Sequence, residues 1–551
     1  MTLATRLIAR LARLPAARTH EIVVEHKLPA RMPDGVVLLA DRYFARPHPG
    51  PLPEGEGAPI VLMRTPYNRG AVGGLFARIF AERGYQAVVQ SVRGTFDSGG
   101  TFNAFRDEER DGRATLEWLK DQPWFSGRVG LFGASYLGLT QWAVAADAPP
   151  FVQALAIQVS GASFRDLFYP GGSFGLHGAL TWISLLHQQR APLPLLILNL
   201  PRYGAKLQRA LRHLPLREAD RVATDRTVQF FHDWLVHTAP GDAFWQAVDY
   251  SRGLARVRAP VNLVAGWHDI FLGRQLGDYV ALRAAGAHPH LSVGPWSHRS
   301  GPGFAMGLRE SLAWFDACLR DDASPMRRAP VRIFVMGVGR WLDLADWPPP
   351  TTPCDWFLTS NGVLAREPAP TASADSYVYD PAQPTPSLGG PLLTGAAVFD
   401  NRRLEQRSDV LTYTTEPLAQ DLTVIGAVDA ELFVESSVAH ADFFARLCDV
   451  APSGRSLNVC DGIERLANGA WPTCVRVRLS QTAYCFRRGH RLRLQVSSGA
   501  FPRFSRNLGT GEPLGEGAAF VRARQTVLHG PQQPSRLHLA VVSTAGTDRL
   551  L

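Results

Sequence analysis

Residues 128–146 read RVGLFGASYLGLTQWAVAA. Residues 129–132 (VGLF) predict a short buried strand, 133–136 (GASY) a tight turn of small residues, and Leu137 onward a helix. A serine at such a turn presents its hydroxyl above a helix N-terminus. The next backbone N–H, that of Tyr136, points where charge would develop on an attacked carbonyl oxygen. The chemistry this allows is acyl transfer. The glycine pattern of such turns, G-x-S-x-G, is nearly met: Leu137 holds the second glycine position and Gly138 follows one later. Alone, Ser135 reads equally well as a plain helix cap.

A nucleophilic serine needs a base to take its proton and a carboxylate to orient that base. In α/β-hydrolases these follow in the order Ser, Asp, His, each just after a strand. Here residues 261–265 (VNLVA) run into Gly266-Trp267-His268-Asp269, and residues 290–293 run into Gly294-Pro295-Trp296-Ser297-His298. Asp269 and His298 are therefore the candidate orienter and base. His268 is a decoy, because Asp269, its immediate neighbour, leaves the backbone in another direction. The histidines at 177, 187, 213, 232 and 237 lack metal-ligand spacing, although 232 and 237 come near the i, i+4 pattern.

The elements that must hold these residues are legible in the patterning. Strand-like runs at 60–64, 87–92, 129–132, 154–159, 261–265, 290–293 and 331–336 alternate with helical stretches such as 74–83 and 108–120. That alternation predicts a parallel sheet with helices on its faces. From 161 to 249 helical spacing dominates (180–188, 198–212, 228–237), the pattern of a cap inserted over the C-terminal edge of the sheet. After the proline-dense WPPPTTP at 347–353 the class changes. Residues 475–479 and 491–496 alternate strictly and 424–434 is strand-rich, which predicts an all-β sandwich of jelly-roll type. The expected division is a basic arm over 1–20, an α/β-hydrolase domain over 21–160 and 250–350, a helical cap over 161–249, and a β domain over 351–551.

Composition excludes several classes. With 551 residues, 46% hydrophobic and 19% charged, the chain is globular and large enough for about three domains. The longest apolar runs reach about half of the ~20 residues a spanning helix requires. The six cysteines form no C-x-x-C pair and have no histidine in ligand spacing, which argues against a disulfide scaffold and a zinc site. Residues 1–18 carry Arg6, Arg10, Arg13 and Arg18 without an acid, and leucines 3, 7, 11 and 14 recur at helical spacing. Arg10 and Arg13 interrupt any signal-peptide core, so a short surface helix or arm ending at Pro15 and a cytoplasmic protein are expected; a membrane-skimming helix is the second reading. The net charge of +9 is dispersed in pieces rather than gathered on one face, so no nucleic-acid partner is expected.

Together, residues 133–138 (GASYLG), Gly266-Trp267-His268-Asp269 and 294–298 (GPWSH) resemble the cocaine esterase-like (CocE/NonD) branch of the X-Pro dipeptidyl-peptidase superfamily. Arg64-Thr65-Pro66-Tyr67, Val92-Arg93-Gly94, Ser98-Gly99-Gly100, residues 341–349, residues 497–504 (SSGAFPRF) and Arg506-Asn507 extend the likeness over nearly the whole chain after about residue 20. The resemblance implies the same α/β-hydrolase, cap and jelly-roll division. It implies Ser135 as nucleophile, His298 as general base and Asp269 as its orienter. It also implies an oxyanion hole of the Tyr67 hydroxyl and the Tyr136 N–H, with no metal or cofactor. Phe271 and Trp182 fall where the family places pocket aromatics; for Trp182, core packing is an equal reading. A homodimer is compatible with the resemblance.

The family embraces esterases, X-Pro dipeptidyl-peptidases and α-amino-acid ester hydrolases. The latter two need a carboxylate pocket for a substrate ammonium group. Asp166, Glu218, Asp220, Asp225 and Asp233 of the cap region are scattered among arginines. The expectation is therefore a small-molecule ester or amide substrate, foremost an acyl ester with an apolar acid part. The contrasting reading is a catalytically inactive binding scaffold, against which stands the joint presence of Ser135, Asp269, His298 and Tyr67.

Overall fold

The computed structural model describes residues 2–46, 57–189, 191–395 and 397–542. Its first sheet has ten strands: β1 (Ile22–Arg31), β2 (Val37–Ala45), β3 (Ile60–Thr65), β4 (Gln86–Ser91), β5 (Val129–Ala134), β6 (Val152–Gln158), β7 (Val261–His268), β8 (His290–Ser297), β9 (Val331–Val335) and β10 (Arg340–Leu344), in the order β1-β2-β4-β3-β5-β6-β7-β8-β9-β10. From β4 to β9 the pairs are parallel. The flanking pairs β1/β2, β2/β4 and β9/β10 are antiparallel.

The sheet thus extends beyond the parallel strands expected from sequence. In β10 only Leu342 and Leu344 are buried, too weak an alternation to mark a strand without its partner β9.

Both faces of the parallel strands are covered, and their side chains alternate accordingly. Val61, Met63, Val89 and Phe132 pack under helices α2 (Gly74–Ala81) and α12 (Gly301–Arg320), against Phe80, Leu312 and Phe315. Leu62, Val88, Leu131 and Leu155 face the other way, with Trp142 of α4 (Tyr136–Ala145) and Leu276 of α11 (Leu272–Ala284); α3 (Glu108–Lys120) supplies Leu116 and Leu119. Each such side chain contributes about 1.5–3 kcal/mol by leaving water.

Between β6 and β7 the chain leaves the sheet for a helical region whose described residues include the α-helices α5 (Arg165–Phe168), α6 (Leu176–Gln188), α7 (Leu193–Arg212), α8 (Ala219–Thr224), α9 (Gln229–Val236) and α10 (Ala243–Gln246). Their shared core is aromatic, with Phe168, Phe174, Phe231, Trp234 and Trp245 joined to Phe105 and Tyr136 of the sheet domain.

At the N-terminus, α1 (Leu3–Leu11) is capped by Thr2. It docks through the face of Thr5, Ile8 and Ala12: Thr5 is buried and donates to Glu82 Oε1 at 2.9 Å, Ile8 packs on the core of α2, and Leu3, Leu7 and Leu11 are exposed. The leucine periodicity marks the helix correctly, but it faces outward.

Eleven further strands, from Thr352–Thr359 to Arg536–Val541, form a second sheet path, antiparallel except at the single pair Val363↔Thr414. No described helix is long and apolar enough to cross a membrane.

Candidate active site

Ser135 sits between β5 and α4 with φ 58° and ψ −121°, a conformation that costs a non-glycine residue roughly 1–3 kcal/mol. Its neighbours hold it there. The Ser135 N–H donates to Gln158 O at 3.0 Å, and Ser160 Oγ donates to Ser135 O at 2.7 Å. The turn is tight enough to dictate its glycines. A Cβ on Gly133 would meet Leu137 Cβ at 2.2 Å, and one on Gly138 would meet Ser160 Cβ at 2.4 Å. Position 137 can carry a side chain because Gly133 beneath it has none. The near-miss in the glycine pattern is thereby explained.

Asp269 follows β7 and His298 follows β8, neighbouring parallel strands in which His268 pairs with Ser297. One residue further on, the two side chains meet: His298 Nδ1 lies 2.8 Å from Asp269 Oδ2. A carboxylate only accepts, so Nδ1 carries the proton and Nε2 presents its lone pair to Ser135 Oγ at 3.1 Å. The other carboxylate oxygen, Oδ1, accepts the Phe271 N–H at 2.7 Å, which fixes the Asp269 side chain. Asp269 and His298 are buried and Ser135 is half-buried, so of the three the serine is the accessible one.

The remaining residues singled out from sequence converge on the same place. Tyr67 follows β3; its hydroxyl accepts from Trp182 Nε1 at 3.0 Å, and the phenol lies beside the Ser135 side chain. Burial pushes the Tyr67 phenol up, so it stays protonated and able to donate. Phe271 packs its ring 5.6 Å from the His298 ring. Trp182 stacks near-parallel to Tyr136 and Phe105 at 6.0 and 5.6 Å. As the first residue of α4, Tyr136 has an N–H without an intrahelical acceptor.

His268 is buried elsewhere, lining a cavity of about 380 Å³ with Trp296, Leu457 and Tyr484, and burial pushes its imidazole down to about 4. His232 and His237 are paired with different carboxylates, Asp220 and Asp242.

One supporting group went unnoticed in the sequence. The Tyr136 hydroxyl donates to Glu108 Oε1 at 2.7 Å and accepts the Phe105 N–H at 3.1 Å. Glu108 is in turn paired with Arg64 Nη1 at 3.0 Å, and burial pushes its carboxyl up. The available signal was Arg64 itself: an arginine inside an otherwise apolar strand demands a buried acid.

Comparison with known proteins shows the family. Residues 34–300 match the X-Pro dipeptidyl-peptidase (S15 family) profile, and residues 324–538 match the X-Pro dipeptidyl-peptidase C-terminal non-catalytic domain. The chain is 34% identical to cocaine esterase of Rhodococcus sp. over 93% of its own length and 97% of that protein's. It is 26% identical to a putative serine esterase of Mycobacterium tuberculosis, over 86% and 90% of the two chains. An aminopeptidase from a Thaumarchaeota archaeon superposes with TM-score 0.80 at 25% identity, covering 96% of this chain and 98% of that one. An α-amino acid ester hydrolase shares the fold with TM-score 0.80 at 24% identity and the same coverage. With a strand-turn-helix serine, full-length likeness to an esterase and both domain profiles in order, the chain belongs to the cocaine esterase-like (CocE/NonD) branch of the X-Pro dipeptidyl-peptidase superfamily and is a serine ester hydrolase.

Proposed function

We propose that the protein hydrolyses acyl esters with an apolar acid part through an acyl-enzyme on Ser135. The observation that carries this is the unbroken hydrogen-bonded line from Ser135 Oγ through His298 to Asp269. Ser135 Oγ attacks the ester carbonyl carbon while His298 Nε2 takes its proton. Asp269 stabilises the imidazolium, and the oxyanion is held by the Tyr67 O–H and the Tyr136 N–H. Collapse breaks the carbonyl–alkoxy bond, the alcohol leaves with the proton from His298, and water repeats the sequence to free the acid and Ser135.

The wall of the site favours an apolar acyl group. Phe271, Trp182, Phe102 and Phe230 form one aromatic cluster around it. The carboxylates of the cap region have other partners, which disfavours an ammonium-bearing substrate. Asp220 accepts from the Val228 N–H at 2.7 Å and Glu218 lies 3.1 Å from His213; Asp225 pairs with Lys206, Asp166 lies 3.8 Å from Arg274, and Asp233 accepts from Gln229. The domain limits 1–20, 21–160 with 250–350, 161–249 and 351–551 are part of this proposal, as are a homodimer and a cytoplasmic location. Light scattering and cell fractionation test the last two.

Fluorophosphonate labelling of the wild type beside Ser135→Ala tests the nucleophile, with labelling expected only in the wild type. Hydrolysis of a panel of acyl esters beside X-Pro anilides tests the substrate class. Faster X-Pro cleavage would replace the ester reading with a peptidase one.

A further inference from the structure

The two proposed oxyanion donors are held in different ways. The Tyr136 N–H belongs to the backbone of α4 and has a fixed direction. The Tyr67 donor is a hydroxyl, whose proton swings about the C–O bond unless something selects one orientation. An unselected rotor would reach the transition state only after reorganising, and oxyanion holes act because their dipoles are already aimed.

Trp182 supplies that selection. An indole N–H is a donor only, whereas a phenol oxygen has one O–H and two acceptor lone pairs. In the 3.0 Å contact between Trp182 Nε1 and the Tyr67 oxygen, Tyr67 must therefore be the acceptor. With that side of the oxygen occupied, its proton is turned away from the indole, and the Ser135 side chain lies beside the same phenol. Accepting a hydrogen bond also polarises the phenol, so its own O–H donates more strongly.

The indole is itself immobilised. Its ring lies near-parallel to Phe105, Tyr136 and Trp234, with centroids 5.6, 6.0 and 6.0 Å away. A second contact from beside the same helix, Gln189 Nε2 donating to Pro66 O at 3.0 Å, pins the loop that carries Tyr67.

We propose that Trp182 is a positioning residue for catalysis: its indole N–H orients the Tyr67 hydroxyl so that the phenolic proton points at the carbonyl oxygen bound beside Ser135. This goes beyond a wall of the acyl pocket, and it rests on Tyr67 being an oxyanion donor. The indole brings a donor without a charge, so it directs the proton without competing for the developing negative charge.

The test is steady-state hydrolysis of p-nitrophenyl butyrate by the full chain and three variants: Trp182→Phe, Tyr67→Phe and the double substitution. Losing a hole donor lowers kcat by about 10²–10³-fold, so Tyr67→Phe should fall about 10²-fold. Trp182→Phe should lose roughly tenfold in kcat, with KM within about threefold. The double variant should be no slower than Tyr67→Phe, because the lost N–H then has nothing to orient. Equal losses from removing Trp182 in both backgrounds, or a change confined to KM, would make Trp182 a pocket wall and overturn the proposal. Unchanged kcat in Tyr67→Phe would instead remove the oxyanion reading of Tyr67, and the proposal with it. If Trp182→Phe does not fold, benzothienylalanine at position 182, which exchanges only the N–H for sulfur, takes its place with the same outcomes.

Discussion

His268 and His298 stand at the ends of neighbouring parallel strands, each within a few residues of a glycine and a tryptophan, and each is only 6% exposed. They have opposite surroundings. His298 bridges Asp269 and Ser135. His268 faces a cavity toward the C-terminal domain, where burial pushes its imidazole down to about 4. The difference is a register step. β7 and β8 pair at Gly266↔Gly294 and again at His268↔Ser297, so β8 carries an extra residue between the two pairs. That offset places Ser297 opposite His268, and the next residues, Asp269 and His298, project together to the other side. Burial and residue type do not bring a histidine to the serine; one position along a strand does.

The strongest way to break this comparison is His298→Gln. It should lower kcat for acyl esters by about 10⁴–10⁶-fold, with enzyme concentration fixed by absorbance and folding checked by circular dichroism. Retention of activity would mean that another base serves Ser135. Asp269→Asn should cost about 10⁴-fold, because an amide in place of the carboxylate favours the wrong imidazole tautomer. A loss below tenfold would reduce Asp269 to a structural role.

The third prediction concerns acid stability. His268 is kept neutral in the folded chain, so its titration drops from the ordinary 6.5 to about 4, and the unfolded chain binds that proton first. Its effect on stability is nil above pH 6.5. Stability is lost as the pH falls toward 4, by about 3 kcal/mol at the lower end. Urea unfolding of His268→Gln should therefore show a shallower decline than the wild type between pH 6.5 and 4, and parallel curves would contradict it. The smallest effect sharpens the contrast: at pH 7 His268→Gln should leave kcat/KM within about twofold.

Much of this was readable in the residues because the deciding forces are local. β3 (Ile60–Thr65), α3 (Glu108–Lys120) and β8 (His290–Ser297) begin where the apolar patterning begins. The strand expected from 491 does likewise, whereas the one expected from 424 begins at Leu422. Asp269 and His298 could be chosen over His268 because strand ends and chain order constrain them. The first two strands were harder: residues 22–31 contain a proline and a register shift between Glu25 and Leu28, so their alternation is broken. The pairing of Tyr136 with Glu108 and of Tyr67 with Trp182 joins segments far apart in the chain, and no spacing rule announces it.

The seam between the sheet and the C-terminal domain has a practical meaning. Just after β9, the Met336 N–H donates to Ala483 O and the Cys485 N–H donates to Met336 O, both at 2.9 Å. Ile425, Ala483, Cys485 and Val542 share a core with Leu342, Leu344 and Trp347. A truncation at the proline-rich junction would not yield a smaller enzyme. It would strip a finished interior bare, so the two parts are poor candidates for modular exchange.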